Sequence, residues 1–483
     1  MLLSKKLWLG IALFFSIGLC ESSRAQSVKT TWTLQECIDY ALKNNLQIKQ
    51  AELNAQLAKV NINQAKSNLL PALNGSTYYG FSFGRSINPT ENIFVDKEIQ
   101  VSNTSVNGNI TLFNGLQLQN NIKRNRLDNE AALADIDQAR NDMILNLVSA
   151  YLQILLSEEL LQRANVQLAS SQSQAERTQK LFRAGSVAEN NVLEINAQVA
   201  TDELAIINAQ NQKDLAELTL IQLLDLKDIR DFEVVKPEIK DPDQDVIVFD
   251  ANTVFDVAQQ KMPQVKAAEI RVRSALRGID ISRGAYYPRL SLGSTLATNY
   301  STAAKRYEVI QTPVTIISGY VNNDRSMPVY LQGMNPTQQE LDYPYWDQFR
   351  NNLGRTITLN LSVPILNGFQ VRNNVTRSVI NHKSAVLNTE IVRNQLRRNI
   401  QQAYADATAA QKRFAATRRQ LEAFQQSFRS AEIRFSNGLI NPTDFNVARN
   451  NFLKAQSDLI QAKYEYTFKL KILDFYQDKP LSL

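Results

Sequence analysis

The sequence predicts an α+β membrane protein that consists mostly of long antiparallel α-helical hairpins and adds four transmembrane β-strands per chain. Three observations support this fold class: the chain is internally duplicated, its helices repeat apolar residues every seven positions, and four short segments alternate apolar with polar residues. Only 16 Gly and 13 Pro occur among 483 residues, so turns are few and the elements are long. The net charge of +6 is modest, and 44% of the residues are hydrophobic, as in ordinary folded proteins.

Residues 1–25 are predicted to be a signal peptide. Two lysines precede an apolar run, residues 7–19, that is too short to span a bilayer as a helix, and small residues lead up to Ala25. Cys20 is an alternative lipid-attachment site, although the leucine before it is bulkier than such sites usually accept. Cleavage after Ala25 leaves Cys37 as the one remaining thiol, so the fold must hold without an intramolecular disulfide.

The rest of the chain is a duplicated unit. "LFNGLQ" from Leu112 matches "ILNGFQ" from Ile365, 253 positions later, whereas "AKSNLLPAL" from Ala65 matches "SRGAYYPRL" from Ser282, 217 positions later. The change in offset places an insertion of 36 residues in the second repeat, within the polar stretch 303–352. The predicted divisions are a signal peptide at 1–25, a first repeat at 26–226, a linker at 227–250 and a second repeat at 251–483.

Each repeat is predicted to contain the same elements in the same order. A helix comes first, at residues 34–70 in the first repeat and at 253–287 in the second, where Pro263 should break it. Two short strands, a very long helix, a Gly turn and a returning helix follow. The linker contains "DPDQD", but it lacks the Gly and Glu of a calcium-binding loop and is interpreted as solvated.

Apolar residues recur at strict seven-residue spacing along the long helices, which predicts antiparallel coiled-coil hairpins closed at Gly185 and Gly438. A continuous helix over residues 116–183 would be about 100 Å long. The long helices carry Leu147, Ile154, Leu161, Leu168, Ala175 and Phe182 in the first repeat, and Ile400, Ala407, Phe414, Leu421, Phe428 and Phe435 in the second. The returning helices carry Val192, Val199 and Ile206, then Phe445, Phe452, Leu459 and Tyr466.

Four segments of about ten residues alternate apolar and polar side chains, as tilted transmembrane strands do. Their apolar positions are Leu73, Tyr79, Phe81 and Phe83; Val106, Gly108, Ile110 and Leu112; Leu290, Leu292 and Leu296; and Ile357, Leu359, Leu361, Val363 and Ile365. A half-buried sheet in a soluble domain would alternate in the same way. The signal peptide and the lack of another apolar span favour the membrane interpretation.

Four strands cannot close a membrane barrel, because known barrels have at least eight and an open edge in lipid leaves backbone groups unpaired. The chain must therefore complete the barrel with copies of itself. Two copies would supply eight strands and three would supply twelve. An eight-stranded barrel is filled by its own side chains, so a conduit favours the larger number.

The pattern resembles the TolC-like outer-membrane efflux proteins over nearly all of the mature chain. The resemblance rests on "TLQECIDYALKNN" from Thr33, the two P-x-L strand starts, the paired NG turns and the two Gly tips. It implies a homotrimer with one 12-stranded barrel in the cell outer membrane and an α-helical tunnel through the periplasm. It also implies a passive exit duct of a tripartite efflux or type I secretion system, whose tips dock onto a periplasmic adaptor protein and an inner-membrane pump.

The resemblance further implies residues at the periplasmic aperture. Asp444 matches the first of the aspartates that line the aperture in well-known members, and Asn441, Asn190 and Asn191 are the other aperture candidates. Val447 stands where a second aspartate is expected and Ile440 replaces an expected arginine, so the family's salt-bridge network is not expected intact. An Asp in the first turn of a helix also commonly compensates the helix dipole.

The two Gly turns are the candidate adaptor-docking sites. They consist of Gly185, Ser186 and Val187 in the first hairpin and of Gly438, Leu439 and Ile440 in the second. A turn needs only the glycine. Exposed Leu439 and Ile440 exceed that need, and a partner surface would explain them.

Other functional classes find little support in the sequence. His382 is the one histidine, and there is no P-loop, G-x-S-x-G motif or metal-spaced His/Cys set, so no catalytic residue, cofactor or metal is predicted. Basic residues are scattered, which argues against nucleic-acid binding. A periplasmic coiled-coil adaptor or structural protein is the alternative, but adaptors lack the four membrane-type strands. A drug, a metal ion and a polypeptide are all candidate cargoes.

Overall fold

The computed structural model describes residues 31–87, 92–96, 98–226, 232–237 and 250–479. The predicted signal peptide, Cys20 and the "DPDQD" part of the linker lie outside the described residues.

The first repeat follows the predicted order of elements. Its elements are β1 (Thr31–Trp32), α1 (Leu34–Asn44), α2 (Leu46–Ser67), β2 (Ala72–Ser82), β3 (Arg85–Ile87), β4 (Phe94–Asp96), β5 (Ile99–Asn114), α3 (Gln117–Arg183), α4 (Glu189–Leu224) and β6 (Glu233–Val234).

The second repeat has the same plan, but the hairpin between its two sheet strands is longer and is followed by a short helix. Its elements are α5 (Ala251–Lys261), α6 (Pro263–Gly284), β7 (Arg289–Ser301), β8 (Lys305–Tyr320), β9 (Pro328–Asp342), α7 (Tyr345–Asn351), β10 (Gly354–Ser362), α8 (Gln370–Ser436) and α9 (Pro442–Tyr476). The stretch predicted to hold the insertion, residues 303–352, therefore contains β8, β9 and α7. The two longest helices, α3 and α8, have 67 residues each, as repeat-equivalent elements should.

The single helix predicted at residues 34–70 is wrong, because the chain breaks between α1 and α2 at Asn45. The backbone of Asn45 is non-helical, and its Oδ1 accepts the N–H groups of Gln47 (2.8 Å) and Ile48 (3.3 Å), which caps α2. The break predicted at Pro263 is confirmed, with Met262 extended between α5 and α6. Asn45 and Met262 are 217 positions apart, so both repeats interrupt their first helix at the same place.

The four alternating segments form one antiparallel sheet in the order β10-β7-β5-β2. The alternative of a half-buried sheet is wrong, because large apolar side chains are exposed on β10: Ile357 is 79% exposed and Leu361 is 65% exposed. Within the described residues, neither β10 nor β2 has a strand partner on its outer side. β10 thus exposes large apolar side chains, and the sheet is open at both edges as far as the described residues show.

The paired NG turns lead from the sheet into the long helices. Gly115 and Leu116 in the first repeat, and Gly368 and Phe369 in the second, all have positive φ angles near 60°. A Cβ placed on Gly115 would lie 2.1 Å from the carbonyl oxygen of Gly284, whereas a Cβ on Gly368 would meet nothing within 4 Å. The first turn is therefore packed against α6, and the second is open.

Contacts between Cα atoms divide the chain into two compact units. One comprises the chain up to Asn54 with Leu133–Lys266 and Ile391–Leu483, and the other comprises Ala55–Ala132 with Ala267–Glu390. Each unit contains segments of both repeats, so the units divide the chain differently from the duplication.

The core of the first unit forms where the heptad residues of α3 meet α1 and α4. Its buried members include Cys37, Leu147, Ile154 and Leu220, and Cys37 is a free thiol. The hydroxyl of Tyr151 donates a hydrogen bond of 2.5 Å to the carbonyl of Val235, and burial raises the pKa of that hydroxyl. Phe232 joins this core, and β6 pairs in parallel with β1. Phe232 of the linker is therefore buried in this core, whereas Glu233, Val235 and Lys236 are exposed.

The heptad prediction is confirmed along both hairpins. Every predicted seam residue is buried or half-buried except Phe182, next to the first tip. By length and composition alone, one described helix, α3, could cross a membrane. Its Leu147, Ile154 and Leu155 are buried in the core, which explains that composition.

Candidate functional site

The first hairpin ends in a Schellman turn at Gly185. The N–H of Ser186 donates to the carbonyl of Leu181 and the N–H of Gly185 to that of Phe182, both at 2.9 Å. Gly185 has a φ of +71°, a left-handed conformation that glycine adopts without a Cβ penalty. This turn satisfies the last carbonyls of α3 and reverses the chain into α4.

The second hairpin repeats this geometry at Gly438. The N–H of Leu439 donates to the carbonyl of Arg434 (2.8 Å) and the N–H of Gly438 to that of Phe435 (3.0 Å), with a φ of +71° at Gly438. The two tips therefore have the same backbone conformation and differ in the side chains that follow each glycine.

A cavity of about 400 Å³ lies between the two tips. Of the predicted docking residues, Ser186, Val187, Gly438 and Ile440 line it. Leu439 is 71% exposed and does not line the cavity. The expectation that Ile440 is exposed is wrong: its side chain is half-buried, because it forms part of the cavity wall.

The four aperture candidates lie at the start of the returning helices. Asn441 is the N-cap of α9, and its Oδ1 accepts the N–H of Asp444 at 2.7 Å. The carboxylate of Asp444 is exposed and forms no ion pair with another described residue. In the first hairpin, Asn190 is exposed and donates to Glu194 Oε1 at 3.0 Å, whereas Asn191 lines the cavity.

Glu194 also connects the two hairpins, a role that the sequence did not indicate. Thr443 Oγ1 donates to Glu194 Oε2 at 3.4 Å, so one carboxylate receives hydrogen bonds from both returning helices. The heptad pattern gave no signal for this contact, because Glu194 and Thr443 lie off the apolar seam and are far apart in sequence.

The second hairpin is fastened near its tip by stacked phenylalanines. Phe435 and Phe445 have ring centroids 4.5 Å apart, and Phe428 and Phe452 have centroids 5.2 Å apart with rings nearly parallel. Such pairs add about 0.5–1.5 kcal/mol each beyond area burial. Three of the four equivalent positions in the first hairpin hold Ala175, Val192 and Val199, so the stack belongs to the second hairpin alone.

A buried polar cluster joins the hairpins further along their length. Arg449 of α9 is 4% exposed and Asp202 of α4 is 6% exposed, with Ser171 of α3 fully buried between them. Arg449 Nη2 donates to Ser171 Oγ at 2.8 Å, and that hydroxyl donates to the carboxylate of Asp202. Gln167 Nε2 and Gln198 Nε2 also donate to this carboxylate, at 3.1 and 2.9 Å.

The charged groups of this cluster are buried among neighbouring side chains. Burial lowers the pKa of Arg449, and the negative charge of Asp202 opposes that shift. Arg449 Nη1 is buried without a hydrogen-bond partner among the described residues. Sequence analysis missed the cluster, since its members come from three helices and share no spacing.

Among the described residues, no group of three or more His, Cys, Asp or Glu side chains could hold a metal ion. His382 is half-buried within α8. The site therefore combines two turns, a cavity between them and a buried polar cluster further along the hairpins.

Comparison with known proteins identifies the class to which this geometry belongs. Residues 37–225 and 254–474 match the family described as outer membrane efflux protein, one stretch in each repeat. Toxin and drug export protein A of Aggregatibacter actinomycetemcomitans is 22% identical over 452 residues, which cover 92% of this chain and 87% of the relative. Outer membrane protein TolC of Escherichia coli K12 is 21% identical over 464 residues, covering 93% and 83%.

Solved structures show the same fold. CusC superposes with a TM-score of 0.72 at 17% identity, with 92% of each chain covered. The CmeC outer membrane channel of Campylobacter jejuni superposes with a TM-score of 0.68 at 16% identity, covering 92% of this chain and 85% of CmeC.

The chain belongs to the outer membrane efflux protein family. It is an outer membrane efflux channel of the TolC family and not an enzyme, which confirms the predicted class and localisation and excludes the periplasmic adaptor alternative.

Proposed function

We propose that this channel works as a homotrimer, in which three copies close one twelve-stranded barrel and form a passive duct through the outer membrane and periplasm. The observation that carries this proposal is the four-stranded sheet with open edges at β10 and β2. An unpaired strand edge in lipid costs several kcal/mol for each unsatisfied backbone group, so β10 of one copy must pair with β2 of the next.

The surface of the sheet supports its placement in lipid. Exposed Ile357, Leu359 and Leu361 lie on one face of β10, because alternate residues of a strand share a face. Thr356, Thr358 and Asn360 lie on the other face, which suits a water-filled interior.

The hairpin tips are proposed to dock onto a periplasmic adaptor protein that connects the duct to an inner-membrane pump. Leu439 supports this role. Gly438 alone would be enough to form the turn, and yet the side chain of the next residue, Leu439, is largely exposed. The cavity beside it supplies apolar walls from Val187 and Ile440 for a partner side chain.

Asp444, Asn190, Asn191 and Asn441 are proposed to face the periplasmic aperture. Asp444 fits that role best, because its carboxylate is exposed and not engaged with another described residue. Asn441 has a capping role that would hold the first turn of α9 and so position Asp444.

The assembly is tested by extracting the mature protein from outer membranes in mild detergent and measuring its mass and its migration without heating. We expect a trimer, because three copies of four strands close the barrel. A folded monomer or an eight-stranded dimer in the membrane fraction would contradict the proposal.

A further inference from the structure

The hairpin of β8 and β9 is the largest feature that the channel class leaves unexplained. It lies in the stretch 303–352, which holds the predicted insertion, where the described part of the first repeat has only the short strands β3 and β4. Its strands pair from Lys305 with Asp342 to Tyr320 with Pro328. Most of its strand residues are exposed. A two-stranded ribbon is marginally stable alone in water, so this one needs a further surface to pack on.

Charge is distributed unevenly along the hairpin. Its base holds Lys305, Arg306, Glu308, Glu340 and Asp342, whereas residues 309–323 and 326–339 contain no charged side chain. We call residues 309–320 and 328–338 the distal ribbon. Water-facing ribbons are usually protected by charge, and the lack of it here indicates that the distal ribbon is covered.

The distal ribbon is apolar on both faces. Paired residues of antiparallel strands lie on one face, so Ile316 and Leu331 share the first face, next to Gly333. Ile317 and Tyr330 share the opposite face with Met334. All five of the large side chains named here are at least half exposed: Ile316, Ile317, Tyr330, Leu331 and Met334.

The strand edges are less suited to contact than the faces. The pairing runs without a break through Pro313, opposite Met334, and Pro336, opposite Gln311. Proline has no N–H, so within an unbroken ladder it takes a position whose nitrogen faces outward. Each strand thus has a proline on its outer edge, which discourages the addition of another strand.

We propose that in the assembled channel the distal ribbons of the three copies pack against one another, the first face of each ribbon against the opposite face of the next. This inference rests on the proposed trimer. Three-fold symmetry requires two different contact patches on each copy, because its interfaces are heterologous, and the ribbon offers one apolar patch on each face.

Two further arguments favour a second copy over other occupants. Each ribbon is tethered between β7 and β10, so the trimer holds three copies near one rim at a high effective concentration. Lipid is a poor occupant, because the outward backbone groups of a two-stranded ribbon would be unsatisfied there.

The test is cross-linking through introduced cysteines, since buried Cys37 is the one native thiol among the described residues. The double variant Leu331→Cys with Met334→Cys carries one cysteine on each face of the distal ribbon. A short bismaleimide added to purified outer membranes should join successive chains and give covalent dimers and trimers. Each single variant should give much less product, because it lacks one side of the contact.

The matched control is Arg306→Cys with Glu340→Cys, which also places one cysteine on each face but at the charged base. Unheated electrophoresis of the same samples reports whether trimers are present. Trimers without cross-links in the distal variant, or equal cross-linking in the control, would overturn the ribbon contact alone. Cysteines that are shielded from a soluble maleimide but do not cross-link would mean another occupant, and absent trimers would overturn the assembly itself.

Discussion

At the scale of single residues, Gly115 and Gly368 show how one sequence motif can carry two different constraints. Both are the glycine of an NG turn, and both have a positive φ. Only Gly115 is in close contact with a neighbouring backbone, that of Gly284 at the end of α6. Gln117 Nε2 reinforces this junction by donating to the carbonyl of Ile281 at 2.9 Å.

Gly115→Ala should therefore destabilise the protein more than Gly368→Ala. The second substitution adds a left-handed alanine, which costs about 1–2 kcal/mol. The first adds the same strain and also a steric clash that costs about 1–3 kcal/mol more. Urea unfolding of the detergent-solubilised variants, followed by circular dichroism, measures the difference. Equal unfolding midpoints for the two variants would show that α6 moves to relieve the clash at little cost in stability.

At the scale of elements, the spacing of apolar residues predicted the helices and strands. Each of these elements has one apolar face and one polar face along its whole length, so its apolar residues recur at a fixed spacing. Leu147 and Ile400 are buried where the heptads placed them, and Ile357 and Leu361 are exposed where the strand alternation placed them. The break at Asn45 was not predictable in this way, since an asparagine that caps the following helix leaves the apolar pattern unchanged. The cluster around Arg449 was likewise not predictable from the sequence, because its contacts depend on how three helices pack together.

Arg449 should contribute much more to the stability of the hairpins than an exposed arginine on the same pair of helices. Asp202 accepts hydrogen bonds from neutral donors, so Arg449→Ala would leave its buried carboxylate without a nearby compensating charge, a loss of about 3–5 kcal/mol. Arg413 of α8 pairs with Glu465 of α9 at 2.7 Å but is exposed, so Arg413→Ala should cost less than about 1 kcal/mol. Thermal unfolding of the two variants is the measurement, and similar losses would mean that water reaches the cluster.

At the scale of the whole molecule, the fold is that of an outer membrane efflux channel, and the hairpin tips are the surfaces that we propose to contact a partner. The sequence predicted the positions of both tips, because glycine is needed where a helix ends in a left-handed residue. It did not predict that Ile440 turns into a cavity while Leu439 stays outside, since both are apolar residues of one turn. Leu439 is therefore the sharper probe of docking.

Leu439→Asp should abolish adaptor binding and export while the yield of outer-membrane trimers stays unchanged. The added charge would have to be buried at the contact, which is costly without a partner. Leu439→Met keeps the apolar surface and should retain both activities. Co-purification with the adaptor, together with the export rate in cells, provides the readout, and normal export by the Asp variant would place the docking surface elsewhere.

The stacked phenylalanines have a consequence for the history of the chain. In the proposed trimer, six hairpins would stand in a ring, alternately of the kind closed by Phe428, Phe445 and Phe452 and of the kind that has Ala175, Val192 and Val199. A gene encoding one repeat, assembled six times, would make all six hairpins identical. Duplication allows the two kinds of hairpin to diverge. One kind can keep its stacked phenylalanines while the other changes the residues near its tip, and the ring of six hairpins stays intact.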